Sequence, residues 1–91
     1  MSLARYAKKR DQVEDAIVEA LILAGCRVWR IDRPFDLIVG LGGRLSLLEC
    51  KTGNAPLTPQ QAAELAGCQF EGLPVYVVRT PEEALAAVRG W

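Results

Sequence analysis

At 91 residues the chain has room for one hydrophobic core and no second one. Hydrophobic residues make up 51%, which excludes wholesale disorder, and eleven Lys and Arg balance eleven Asp and Glu, so net charge does not advertise a nucleic-acid partner. Histidine is absent, which removes Ser-His, Cys-His and His-ligated zinc chemistry and leaves carboxylates, lysine and backbone groups as the catalytic repertoire.

Neutrality still permits segregated charge. Arg5, Lys8, Lys9 and Arg10 gather near the N-terminus, either as a contact surface or as a solvated helix start. Cys26, Cys50 and Cys68 are an odd set without metal-ligand spacing, and Met1-Ser2-Leu3 leads straight into charged residues. The expectation is reduced thiols in a cytoplasmic protein with no membrane span.

Val13, Ala16, Ile17, Ala20, Leu21 and Ala24 recur on one helical face that stops at Gly25. Arg27-Val28-Trp29-Arg30-Ile31 alternates and predicts a first strand; Phe35 to Leu41 predicts a second and Arg44 to Lys51 a third. Gly40-Leu41-Gly42-Gly43 marks the hairpin between the last two. Thr58-Pro59-Gln60-Gln61 is a helix start, with Thr as N-cap, Pro at the first helical position and Gln in capping-box position, and this helix is expected to reach Glu71-Gly72. Pro74 to Arg79 predicts a fourth strand, and Thr80-Pro81-Glu82-Glu83 opens a last helix that ends near Gly90. The α-β-β-β-α-β-α order implies one parallel strand pair, an antiparallel portion and a mixed α/β sheet with helices on both faces.

The chemistry concentrates between Pro34 and Lys51. Glu49 and Lys51 are two apart at the end of an apolar run, so a strand turns both to one face. Asp36 opens the neighbouring run, Leu37-Ile38-Val39, and can meet them across the sheet. Buried charges require partners or a metal. Asp36, Glu49 and the backbone carbonyl of Cys50 offer three hard oxygen ligands, suited to Mg²⁺ or Mn²⁺, with Lys51 beside them to orient or deprotonate a water or to neutralise developing charge. Those parts fit metal-assisted hydrolysis of a phosphodiester. The plain alternative is a surface ion pair of little energetic weight.

Pro34-Phe35-Asp36 followed by Glu49-Cys50-Lys51 in this element order resembles the PD-(D/E)XK nuclease superfamily. Within it the chain is similar to the virus-type replication-repair nuclease (VRR-NUC) domains, along nearly its whole length. The similarity runs through Gly25 to Arg30, Asp36-Leu37-Ile38-Val39, Glu49-Cys50-Lys51-Thr52, Leu57-Thr58-Pro59-Gln60-Gln61 and Gly72 to Val78. Phe35 departs from the pattern, because Pro commonly stands directly before the Asp and is here displaced to Pro34.

The resemblance implies a restriction-endonuclease-like αβββαβ core in a single domain over residues 1–91. It makes Asp36 and Glu49 metal ligands and Lys51 the catalytic lysine. Glu14 matches a first-helix acid that contacts the metal through water, or is simply an acid at a helix boundary; Gln61 matches a glutamine that binds DNA backbone or orders water, or only closes its capping box. The implied function is a Mg²⁺- or Mn²⁺-dependent DNA endonuclease in a bacterial or phage-infected cell, acting in repair or recombination. Such small relatives resemble Holliday-junction resolvases, which implies a homodimer on branched DNA. Nicking, flap or restriction-like duplex cleavage is the first alternative, and a non-catalytic nucleic-acid-binding module is the second. Lys51-Thr52-Gly53 lacks the Ser-x-x-Lys of a β-lactamase, and Gly40-Leu41-Gly42-Gly43 is no phosphate-binding loop. Trp29 and Trp91 suit a core or dimer interface better than base stacking.

Overall fold

The computed structural model describes residues 2–90, with side chains from residue 12 onward. Arg5, Lys8, Lys9 and Arg10 therefore lie outside the described side chains, and Trp91 outside the described residues. The order is α1 (Ser2–Leu23), β1 (Arg27–Arg30), β2 (Leu37–Leu41), β3 (Arg44–Cys50), α2 (Pro59–Phe70), β4 (Val75–Val78) and α3 (Pro81–Arg89). The strands form one mixed sheet in the order β1-β2-β3-β4. The first two pairings are antiparallel and β3–β4 is parallel.

Local chemistry sets the element ends. Gly25 stops α1 at φ 94°, with its N–H donating to the Ile22 carbonyl and the Cys26 N–H to the Leu21 carbonyl, each at 3.0 Å. That pair of bonds is the Schellman closure, whose left-handed residue favours glycine. The β2–β3 turn has φ 59° at Gly42 and 81° at Gly43, the conformation that a two-residue hairpin needs to match strand twist. At α2, Thr58 Oγ1 accepts from the Gln61 N–H at 3.1 Å while Gln61 Oε1 accepts from the Thr58 N–H at 3.0 Å. Thr80 caps α3 in the same way through the Glu83 N–H, but the Glu83 carboxylate takes the N–H of Arg79 at 2.7 Å.

One face of the sheet carries the core. Leu37, Val39 and Leu48 project there with Val78, and Ile17 and Leu21 of α1 and Ala84 and Val88 of α3 close over them. The fully buried Ile17 and Leu21 come from the helical face read in the sequence. α2 lies beside β4 and buries none of its residues, so it covers the opposite face only in part.

The second strand begins later than its apolar run suggested, at Leu37 instead of Phe35. Phe35 and Asp36 occupy the bend before it, both buried. The Asp36 N–H still donates to the Leu48 carbonyl at 3.0 Å, but the next N–H along β3, that of Cys50, finds the Asp36 side chain. The side chain thus takes over where the backbone ladder ends.

Candidate functional site

The C-terminal end of β3 organises the site. Ser46 and Leu48 are buried, with Leu48 in the helix-covered core, so alternation turns Glu49 and Lys51 to the opposite face. Glu49 Oε2 stands 4.0 Å from Lys51 Nζ. Lys51 follows the strand, yet its N–H donates to the Val78 carbonyl at 3.0 Å, which continues the parallel ladder and fixes its backbone.

Asp36 enters from the bend before β2. Its Oδ2 accepts from the Cys50 N–H at 2.7 Å, which fixes the carboxylate at the residue between Glu49 and Lys51. The N–H and C=O of one strand residue point to the same side, so the Cys50 carbonyl faces Asp36 as well. Asp36 and Glu49 are each only 4% exposed.

Gln61 arrives from the first turn of α2. Its Nε2 donates to Glu49 Oε2 at 3.0 Å while its Oε1 serves the capping box. The cap and the contact with Glu49 are thus made by two ends of the same side chain.

Glu14 approaches from α1, on the core side. Its Oε2 accepts from Arg30 Nη1 at 3.1 Å, and the other arm of Arg30 pairs with Asp15. The Cys50 thiol reports how much negative charge converges here. Burial first, then the charges of Asp36, Glu14 and Glu49, push it up to about 12, with Arg30 opposing. Glu14 is therefore within electrostatic reach of the strand end that carries the other two carboxylates. Among the described residues no three His, Cys, Asp or Glu side chains form a metal-holding group, so Glu14 does not complete a side-chain trio with Asp36 and Glu49.

The donor set fits a hard divalent cation: two buried carboxylates and a strand-end carbonyl, all oxygen, with no soft or imidazole ligand competing. A cleft of about 770 Å³ adjoins it, between Asp32-Arg33-Pro34 and the Thr58, Gln60 and Gln61 end of α2. Gln61 lies on the boundary and connects the cleft to Glu49.

A solved structure described as a VRR_NUC domain superimposes with a TM-score of 0.73 over 89% of this chain and 95% of that one, at 22% sequence identity. The chain has the VRR-NUC fold. No protein-family model matches the sequence, and no curated protein matches it. The α/β order and mixed sheet expected from the sequence are those of the VRR-NUC fold, and among the described residues no helix is long and apolar enough to cross a membrane.

The contacts of two arginines and the exposure of one tryptophan escaped the sequence reading. Arg79 Nη1 donates to the carbonyls of Gly53 at 2.7 Å and Ala55 at 2.9 Å, which ties the segment between Lys51 and α2 to the end of β4. No side-chain pattern could signal that, because both acceptors are main-chain groups far away in sequence. Arg30 stood only as one letter of a resemblance; its pairing with α1 depends on how α1 crosses β1. Trp29 is not in the core but 47% exposed on the face that carries Glu49.

Proposed function

We propose that the protein is a Mg²⁺- or Mn²⁺-dependent DNA endonuclease that hydrolyses phosphodiesters at the Asp36–Glu49–Lys51 site. The observation that carries the proposal is the placement of two carboxylates, each 4% exposed, at one strand end, Glu49 next to Cys50 in the chain and Asp36 on the Cys50 N–H, with Lys51 alongside and an open cleft adjoining. Buried charges at such density are poorly explained by stability, since ion pairs removed from water gain little net energy.

Asp36, Glu49 and the Cys50 carbonyl would hold the ion, with Glu14 acting on it through water. When bound, the ion supplies charge neutralisation at the phosphate and lowers the pKa of a coordinated water. Asp36 is oriented for this by the Cys50 N–H, and Glu49 by Gln61 Nε2 and Lys51. Lys51 holds the attacking water in line or donates to a non-bridging phosphate oxygen, where a positioned ammonium stabilises the transition-state charge. Gln61 keeps the Glu49 carboxylate from rotating and presents its amide to the cleft that would receive the DNA backbone.

Branched DNA cut by a homodimer is the preferred substrate. A single small domain grips little DNA, and a two-fold pair presents two sites to two symmetric strands. In support of a dimer, α2 buries none of its residues, and Phe70 at its end is 88% exposed. The test is incubation of the purified protein with a four-way junction, a flap and a linear duplex, each with Mg²⁺, Mn²⁺ or EDTA. Metal-dependent cutting that favours the junction is expected. Equal cutting of all three would remove the junction preference, and no cutting of any would remove the enzyme.

A further inference from the structure

We infer that the uncovered face of β1 and β2 is a base-stacking platform, on which Trp29 receives a nucleobase of an unpaired DNA segment about three to four base steps from the point of cleavage. The inference rests on the nuclease reading for its place in catalysis, and it names what part of the substrate that site selects.

Register fixes the geometry. Trp29 is opposite Ile38, Ile38 opposite Leu47, and Leu47 lies two residues before Glu49 on β3. Trp29, Ile38, Leu47 and Glu49 therefore share one face of the sheet. Two interstrand spacings across and two residues along place Trp29 roughly 12 Å from Glu49. That is about three to four stacked base steps of 3.4 Å.

The ring is built to be used from outside. Gly40 lies beneath it without a side chain; a Cβ there would stand 3.8 Å from Trp29 Cζ3, 3.8 Å from Arg27 Cβ and 3.5 Å from Leu45 Cδ2. Arg27, Trp29 and Leu45 thus gather over one glycine, with Trp29 47% and Leu45 61% exposed. The Arg27 guanidinium lies over the Trp29 ring, 5.9 Å from its centroid, and among the described residues Arg27 makes no ion pair, so it is free to swing from the ring to a phosphate when a base takes its place.

The occupant follows from this chemistry. An aromatic ring with a flanking cation suits a base and its phosphate, the combination that single-stranded nucleic acid presents. Arg33, in the cleft beside Gln61, supplies a second cation, although Asp32 and Glu64 line the same cleft. Trp and Arg also serve protein interfaces, and the oligomeric readout below separates that occupant from a base. Paired bases are stacked on each other and cannot occupy the platform, so it discriminates in favour of frayed, flapped or junction DNA.

The test is made in EDTA, so that binding is read without cleavage. In a Trp91→Phe background the emission of Trp29 is followed while a twelve-nucleotide oligothymidylate, or an abasic strand of the same length, is added. Quenching by oligothymidylate and little by the abasic strand is expected. Trp29→Ala should weaken oligothymidylate binding about tenfold, and Trp29→Phe much less, because stacking survives in phenylalanine. Equal affinity of Trp29→Ala and the parent would overturn the platform. So would Trp29 emission that responds to protein concentration, with Trp29→Ala turning a dimer into a monomer, since the face would then be a subunit interface. Metal-dependent cleavage of duplex without any quenching also overturns the platform and leaves the nuclease standing. Quenching without cleavage of any DNA removes the nuclease and leaves the platform.

Discussion

Gln61 links a helix cap to a buried carboxylate: its Oε1 accepts from the Thr58 N–H, and its Nε2 donates to Glu49 Oε2, both at 3.0 Å. A single side chain therefore fixes where α2 starts and how Glu49 is turned. The linkage makes stability and activity separable by substitution.

Thr58→Ala removes the cap and leaves the Gln61–Glu49 bond a partner at each end. It should cost about 1 kcal/mol by urea unfolding, with metal-dependent cleavage changed less than about threefold. Gln61→Ala should cost a similar amount and in addition lower the cleavage rate by about tenfold or more, as loss of an oriented group does. Parallel losses of activity in the two variants would mean that Gln61 acts only as a cap.

Asp36 has both a structural and a proposed catalytic bond. Asp36→Ala leaves the Cys50 N–H without its acceptor, and should cost about 1–3 kcal/mol. Asp36→Asn keeps an oxygen for that N–H and should unfold within about 1 kcal/mol of the parent, while cleavage falls on the order of 10²-fold. Urea titration and single-turnover cleavage on the same preparations separate the two effects. An active Asp36→Asn variant would remove Asp36 from the metal site.

Arg79 holds the segment between Lys51 and α2 through the Gly53 and Ala55 carbonyls. Arg79→Ala should loosen that segment, with faster amide hydrogen exchange across residues 52–57 and little change in β2. Both bonds come from one nitrogen, which a lysine ammonium can imitate with a shorter side chain, so Arg79→Lys should restore exchange in part. Unchanged exchange in Arg79→Ala would show that the loop is held by something else.

Burial pushes the Cys26 thiol above its ordinary value of 9.0, with Arg89 opposing. The folded pKa is raised, so the unfolded chain releases this proton first. The contribution to stability is full below pH 9.0 and is lost as pH rises through the folded value. Urea titrations at about pH 7.5 and about pH 10 should show a smaller alkaline loss in Cys26→Ala than in the parent. Equal losses would contradict a buried, neutral thiol.

Much of this was legible in the sequence where chemistry is local. The Thr58 and Thr80 caps, the Gly42-Gly43 turn and the shared face of Glu49 and Lys51 each follow from residues within a few positions of one another. Phe35 and Asp36 misled because an apolar run and a bend that ends in a buried carboxylate have the same letters; only the Cys50 N–H, supplied by another strand, distinguishes them. Arg79 was invisible because it bonds to carbonyls, which every residue has. Trp29 reads as core or dimer interface by type, but which face of an alternating strand is covered depends on where α1 and α3 pack and on how little α2 covers.

The central claim is that Asp36, Glu49 and Lys51 form a metal-dependent phosphodiester-cleaving site. Single-turnover cleavage of an end-labelled four-way junction, by the parent, Glu49→Gln and Lys51→Met, in Mn²⁺ and in EDTA, tests it most directly. Cutting by the parent in Mn²⁺ alone is expected, with a loss on the order of 10²-fold or more in each variant and junction binding that falls with salt but changes little between them. Cleavage that persists in EDTA, or that survives in Glu49→Gln, would contradict it.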